Sequence, residues 1–334
     1  MQTVMVQGRT FNYSHTIGKG SPGGPGFRNP VDLALGKDNT LYVVSRGSEA
    51  EPCQRITILT MDEEFIKEFG GPGEEDGQFV WATAIAIDSQ GLVYVADEWL
   101  NRITIYDREG NFLDKWGAPG SAHGQLNGPA GLAFDQEDNL FVTENLNHRV
   151  QKFTKDGRSL STFGKEGGGE GELTRPWGIA IDSRDDVYVA DWYNDRVQKF
   201  SPDGTYLTTF GASGTGPGQL RLPSDVAVDA DGDVYVTNWW NRKVEVYDRD
   251  GAHLTTFIGD AEKPSKWAQE FIDSNPDYKK ARMRARSLEP EWRFNMPIAV
   301  EIGDDGLILI AEDQRWRIQV YRKEQDWVDP QFNL

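Results

Sequence analysis

Arg46, Asp32 and Asp225 are the side chains of this 334-residue chain whose types and settings could do chemistry. Arg46 ends the apolar run of VVSRG, where a guanidinium would clamp a carboxylate through two parallel N–H groups or stabilise charge developing on an oxygen. Asp32 and Asp225 each stand two positions after a proline, in PVD and PSD, and could act as general bases or as oxygen ligands. Eight further residues are candidates for ligand contact: Trp81, Thr83, Glu98, Asn145, Trp177, Trp192, Trp239 and Asp313. The indoles among them, together with Trp99, Trp240 and Trp316, offer apolar faces with an N–H donor. They would suit a sugar, an aromatic ligand or an organic cation.

These residues are positioned by a unit of about 47 residues whose clearest copies begin at Pro129, Pro176 and Pro223. The three copies open PAGLAFD, PWGIAID and PSDVAVD, pass through LFVTE, VYVAD and VYVTN, and close on LSTFG, LTTFG and LTTFIG. More divergent copies start at Pro30, Ala82 and Pro297. Each copy holds four short runs rich in Val, Ile, Tyr and Phe, separated by Asp, Asn and Gly turns, and four strands per repeat make a propeller blade. The fold class expected is therefore all-β, a six-bladed propeller. The last copy lacks its fourth strand, and Arg9–Gly18 (RTFNYSHTIG) matches the missing pattern, so N- and C-terminal segments should pair to close the ring. One domain over 1–334 is expected, interrupted at 260–295.

In such a blade the first strand begins and the second ends on the same face, beside the axis, so departures from the repeat at those two places mark the site. After the proline position come Val31, Thr83, Ala130, Trp177, Ser224 and Ile298, then Asp32, Ala84, Gly131, Gly178, Asp225 and Ala299. Just past the second strand come Arg46, Glu98, Asn145, Trp192, Trp239 and Asp313. Features shared by every blade build the ring instead. An acid or small polar residue ends the second strand (Asp97, Glu144, Asp191, Glu312) and a cation follows (Arg102, Arg149, Arg196, Arg317), which reads as turn capping and pairing.

A net charge of −18 repels phosphate backbones and argues against a nucleic-acid partner. The opening MQTVMVQGRTFNY has no apolar core of a leader, and no apolar run reaches membrane-spanning length. A cytoplasmic monomer without membrane contact is expected. The lone Cys53 gives no disulfide framework, and the four histidines, His15, His123, His148 and His253, are scattered, so zinc is not supported. A metal held by Asp32, Asp225 and Asp313 would be calcium or magnesium.

The pattern PxGIAxD, VYVAD, NxRVxKF and LxxFG resembles the NHL repeat, over nearly the whole chain before Gly259. Within that group VVSRG is similar to a segment of the peptidyl-hydroxyglycine amidating lyases, which implies a catalytic role for Arg46. The zinc histidines of those enzymes correspond to Thr83, Trp177 and Ile298, their tyrosine base to Leu146 and their second arginine to Trp192, so that chemistry is not expected to carry over. The Glu-Gly-Pro opening of lactonase propellers is absent too.

The interruption KPSKWAQEFIDSNPDYKKARMRARSLEPEWRF predicts helices over 265–273 and 278–288, divided at Pro276. KKARMRAR places five cations in eight residues, which suits a solvated rim helix or a lid over an acidic mouth. Two functions remain open. The chain binds a small molecule or peptide at a tryptophan-rich mouth, the reading favoured here, or it is a lyase or hydrolase using Arg46 with Asp32 and Asp225.

Overall fold

The computed structural model describes residues 3–47 and 52–324. Six antiparallel sheets surround one axis, each running outward from an inner strand. The inner strands are Pro30–Leu35, Ala82–Ile87, Pro129–Phe134, Pro176–Ile181, Pro223–Val228 and Pro297–Gly303. Five sheets have four consecutive strands. In the sixth, Arg9–Ile17 pairs antiparallel with Arg317–Glu324, so the N-terminal segment supplies the fourth strand as its sequence implies. A further strand, Thr3–Val6, caps that edge, which the repeat pattern did not foretell.

The hydrophobic core lies between the blades. Val31, Val44 and Ile58 of blade one pack with Ile85 and Val95 of blade two, and Val226 and Val236 of blade five meet Tyr188 and Val197 of blade four. Because both faces of a blade meet a neighbour, the second strands are buried along their whole length, as in Val93–Asp97 and Val187–Asp191. Each fully covered Val or Tyr contributes ~1.5–3 kcal/mol, and the sum over the seams holds the ring. The outer strands alternate with solvent and leave Ile66, Leu113, Leu160 and Leu207 exposed.

The shared acid and cation are structural. Arg149 pairs with Glu144 at 2.6 Å, Arg196 with Asp191 at 2.9 Å and Arg317 with Glu312 at 2.6 Å. In blade two the two part: Asp97 accepts from the amides of Val80, Trp81, Trp99 and Leu100, while Arg102 donates to the carbonyls of Glu74, Glu75 and Gln78.

The interruption folds as α1 (Lys266–Ser274), α2 (Pro276–Arg284) and α3 (Glu289–Trp292), between the last strand of blade five and the first of blade six. Ser265 caps α1, and Pro276 opens α2, where its missing N–H costs nothing. The second helix stops at Arg284, short of the 288 expected, because Ala285 turns extended. Trp267 of α1 is buried against Phe27, Ser265 Oγ donates to the carbonyl of Gly18, and the Lys266 amide donates to Glu63. These contacts seat the helices on the seam between blades six and one, where the ring is closed. Among the described residues no helix is long and apolar enough to cross a membrane.

Candidate functional site

The inner strands enclose an axial cavity of about 320 Å³, lined from Val31, Thr83, Ala130, Trp177, Ser224 and Ile298 to Leu35, Ile87, Phe134, Ile181 and Ile302. Asp32 and Asp225 both face it. Their oxygens are already engaged. Asp32 accepts from its neighbour Leu33 N at 2.9 Å and, across the seam, from Ile85 N of blade two at 2.8 Å. Asp225 repeats the device one seam before blade six, accepting from Val300 N at 2.9 Å. Gly178 makes room for it: a Cβ there would lie 2.5 Å from Asp225 Cα and run into its carboxylate.

A third carboxylate, Glu301, shares the cavity and reaches the Leu35 amide of blade one at 3.4 Å. Sequence reasoning passed over it although a signal was present. The equivalent residue is alanine in all other blades: Ala34, Ala86, Ala133, Ala180 and Ala227. Burial pushes Asp32 up to about 7 against the pull of its two amide donors. Burial and then the charge of Asp32 raise Asp225 well above the usual range and Glu301 to about 8. The acids of blades five, six and one therefore tend to hold protons near neutral pH.

The mouth is built differently. The guanidinium of Arg46 lies 4.4 Å from the ring centre of Trp81 and makes no hydrogen bond or ion pair with any described residue. Burial depresses its pKa, opposed by the charges of Asp313 and Glu98. Those acids are partly committed, Glu98 to Asn145 at 3.0 Å and Asp313 to Asn29 at 3.0 Å. Across the mouth three indoles form a continuous arc: Trp177 and Trp192 are 5.4 Å apart and Trp192 and Trp239 are 5.5 Å apart, with Trp240 beyond at 5.9 Å.

The candidates thus divide into two groups. Asp32, Asp225, Thr83 and Trp177 line the channel, whereas Arg46, Trp81, Glu98, Asn145, Trp192, Trp239 and Asp313 lie outside its lining, with Trp177 stacked between the two groups. Thr83 is buried and donates to the Pro129 carbonyl at 2.8 Å, and Asn145 is buried as well. Trp316 leaves the arc altogether, stacking under Arg28 at 4.1 Å beside the insertion. No insertion residue lines the channel.

The positions that would need zinc ligands carry Thr83, Trp177 and Ile298, which cannot supply them. The histidines bond locally, His253 to Glu245 at 2.8 Å and His123 to Ser159 at 3.2 Å. Among the described residues no group of three or more His, Cys, Asp or Glu side chains is arranged to hold a metal.

Comparison with known proteins agrees with this architecture. The NHL repeat model matches residues 126–153, 173–200 and 220–247. A sequence comparison with curated proteins finds no match. Among solved structures, a protein of unknown function from Bacteroides thetaiotaomicron superposes with a TM-score of 0.66 at 18% identity, over 95% of this chain and 76% of its own. A gluconolactonase from Xanthomonas campestris gives 0.60 at 14% identity, over 94% and 90%. Inactive virginiamycin B lyase from Staphylococcus aureus with quinupristin gives 0.58 at 14% identity, over 93% and 99%. At such identities the likeness is one of fold. The chain folds as a six-bladed β-propeller, and three of its blades carry the NHL repeat.

Proposed function

We propose that this propeller binds a small molecule or peptide bearing a carboxylate at its tryptophan-rich mouth. The observation that carries the reading is Arg46, a partly buried guanidinium over the ring of Trp81 with no acceptor among the described residues. With Glu98 and Asp313 committed to Asn145 and Asn29, this partly buried cation is offered to an anionic ligand. A carboxylate seated on Arg46 places the rest of the ligand toward the arc of Trp177, Trp192 and Trp239, whose faces take an apolar or cationic body. Glu98 and Asp313 favour a ligand with a positive group beside its carboxylate.

The test is tryptophan fluorescence and calorimetry with tripeptides carrying a free C-terminal carboxylate, each beside its C-terminal amide. Free acids should bind, amides about tenfold or more weaker, and Arg46→Ala should remove the difference. Equal binding of acid and amide would defeat the reading.

A second reading, a lyase or hydrolase, rests on Asp32, a channel carboxyl that burial lifts to about 7 and so into the range of a general acid or base. Lyase and gluconolactonase neighbours share the fold. Gluconolactone hydrolysis followed by proton release, in wild type and Asp32→Asn, decides it. Turnover abolished by that substitution favours the enzyme, and no turnover above buffer removes this substrate class.

A further inference from the structure

We propose that a second cleft, between the inserted helices and the ring, binds a small organic anion with a planar apolar body. The cleft has a volume of about 450 Å³, and Lys19, Phe271, Tyr278, Arg282, Arg315 and Trp316 line it. It shares no lining residue with the channel, and Gln314 on its edge donates to Asp313 of the mouth at 2.9 Å.

The first argument comes from α1. Its apolar residues recur one turn apart at Trp267, Ala268, Phe271 and Ile272. Only the first part of that stripe is consumed by docking: Trp267 is 5% exposed in the core, whereas Phe271 is 44% exposed. Phe271 meets Tyr278 of α2 edge to face at 5.3 Å, and both rings border the cleft. Apart from each other these two exposed rings have no ring partner among the described residues, and they share the cleft with Trp316, whose ring carries Arg28.

The second argument is charge. Four cations line the cleft, Lys19, Arg282, Arg315 and Arg317, against one carboxylate, Glu291, in a chain of net charge −18. Arg282 is paired with Glu291 and Arg317 with Glu312. Lys19 and Arg315 have no carboxylate partner among the described residues, and Arg315 donates only to the carbonyl of Pro290.

The third is hydrogen bonding. Arg315 Nε and Trp316 Nε1 are buried and make no hydrogen bond in the structure. Both are donors, so what the site lacks is an acceptor. Burial, with the charge of Arg317, depresses the pKa of Arg315, and an anion would reverse that effect. Aromatic wall, surplus positive charge and orphaned donors select one ligand class: a carboxylate, sulfonate or phosphate on a flat apolar body.

The probe is 8-anilinonaphthalene-1-sulfonate, with the uncharged N-phenyl-1-naphthylamine as its control, titrated by fluorescence at low salt against the folded full-length protein. In the Arg46→Ala background, which removes the anion clamp of the mouth, one sulfonate probe per chain should bind, and the neutral amine at least tenfold more weakly. Arg315→Gln and Phe271→Ser should each weaken binding fivefold or more. Phe271 is substantially exposed, so its replacement keeps the fold, and the thermal midpoint of each variant verifies this. Because the mouth is already disabled in that background, failure here is distinguishable from failure at the mouth. Equal binding of the neutral amine, indifference to both cleft variants, or no sulfonate binding in the Arg46→Ala background would overturn the proposal.

Discussion

The channel and the mouth share one axis, and both collect residues that depart from the repeat, but the polar atoms of the two regions meet different fates. In the channel, Asp32, Asp225 and Glu301 spend their oxygens on backbone N–H groups of the next blade. At the mouth, Arg46 has an aromatic face beneath it and no acceptor among the described residues. A side chain that breaks a repeat is therefore not yet a site. What separates a structural departure from a candidate ligand contact is whether the protein itself completes its hydrogen bonds.

The largest expected effect lies at the structural end of that comparison. Gly178→Ala would place a methyl 2.5 Å from Asp225 Cα, between two inner strands that have no room to part. Overpacking of this kind costs about 3 kcal/mol or more when backbone must move. Urea denaturation should show the midpoint falling at unchanged slope. A loss below about 1 kcal/mol would mean that the seam is softer than its geometry and that Asp225 is free to swing into the channel.

A pH titration sharpens the same contrast. Asp32, Asp225 and Glu301 have folded pKa values raised above their ordinary range, so the native state holds protons that the unfolded chain has released. Their contribution therefore favours folding at low pH and is lost as pH rises from about 4 through about 7 to 8, with a slope of up to ~1.4 kcal/mol per pH unit for each proton held. Carboxylates such as Asp135 and Asp182, whose pKa values are lowered, act oppositely but only below their unfolded range. Between pH 5 and 8 the wild type should lose stability relative to Asp32→Asn, whose amide oxygen still accepts from Ile85. Parallel stability curves for the two proteins would show that Asp32 is charged throughout and open to water.

The ring was legible in the sequence because its cause is local and repeated. Alternating Val, Ile and Tyr runs such as VYVAD recur at fixed spacing, and RTFNYSHTIG carries the signature of the one strand missing from the last copy. Helix α1 was legible from Ser265 and its apolar stripe. The state of the candidate residues was not, because it depends on partners from other blades. Nothing near Asp32 in sequence announces Ile85, 53 positions away, as the donor to its carboxylate. Glu301 shows the reverse case: its departure from five alanines was visible, but attention to the first positions of the strand missed a residue further along it. Trp316 lies three residues past the mouth position Asp313, and only the docking of the insertion reveals the different cleft it borders.

The smallest expected change in stability is at the mouth, and its smallness is the point. Arg46→Met keeps most of the apolar stem against Trp81 and removes the charge. The interaction with the ring is worth ~0.5–2 kcal/mol, but partial burial of the guanidinium costs a similar amount. The two should nearly cancel, leaving stability within about 1 kcal/mol of wild type while the preference for a free carboxylate disappears. A structural arginine behaves otherwise: Arg149, tied to Glu144 and to three loop carbonyls, should lose ~3 kcal/mol or more on the same replacement because it leaves the buried Glu144 without its countercharge. Denaturation of the Arg46→Met and Arg149→Met proteins side by side measures the difference directly. If the Arg46 variant falls as far as the Arg149 variant, Arg46 belongs with the residues that build the ring, and the distinction between channel and mouth dissolves.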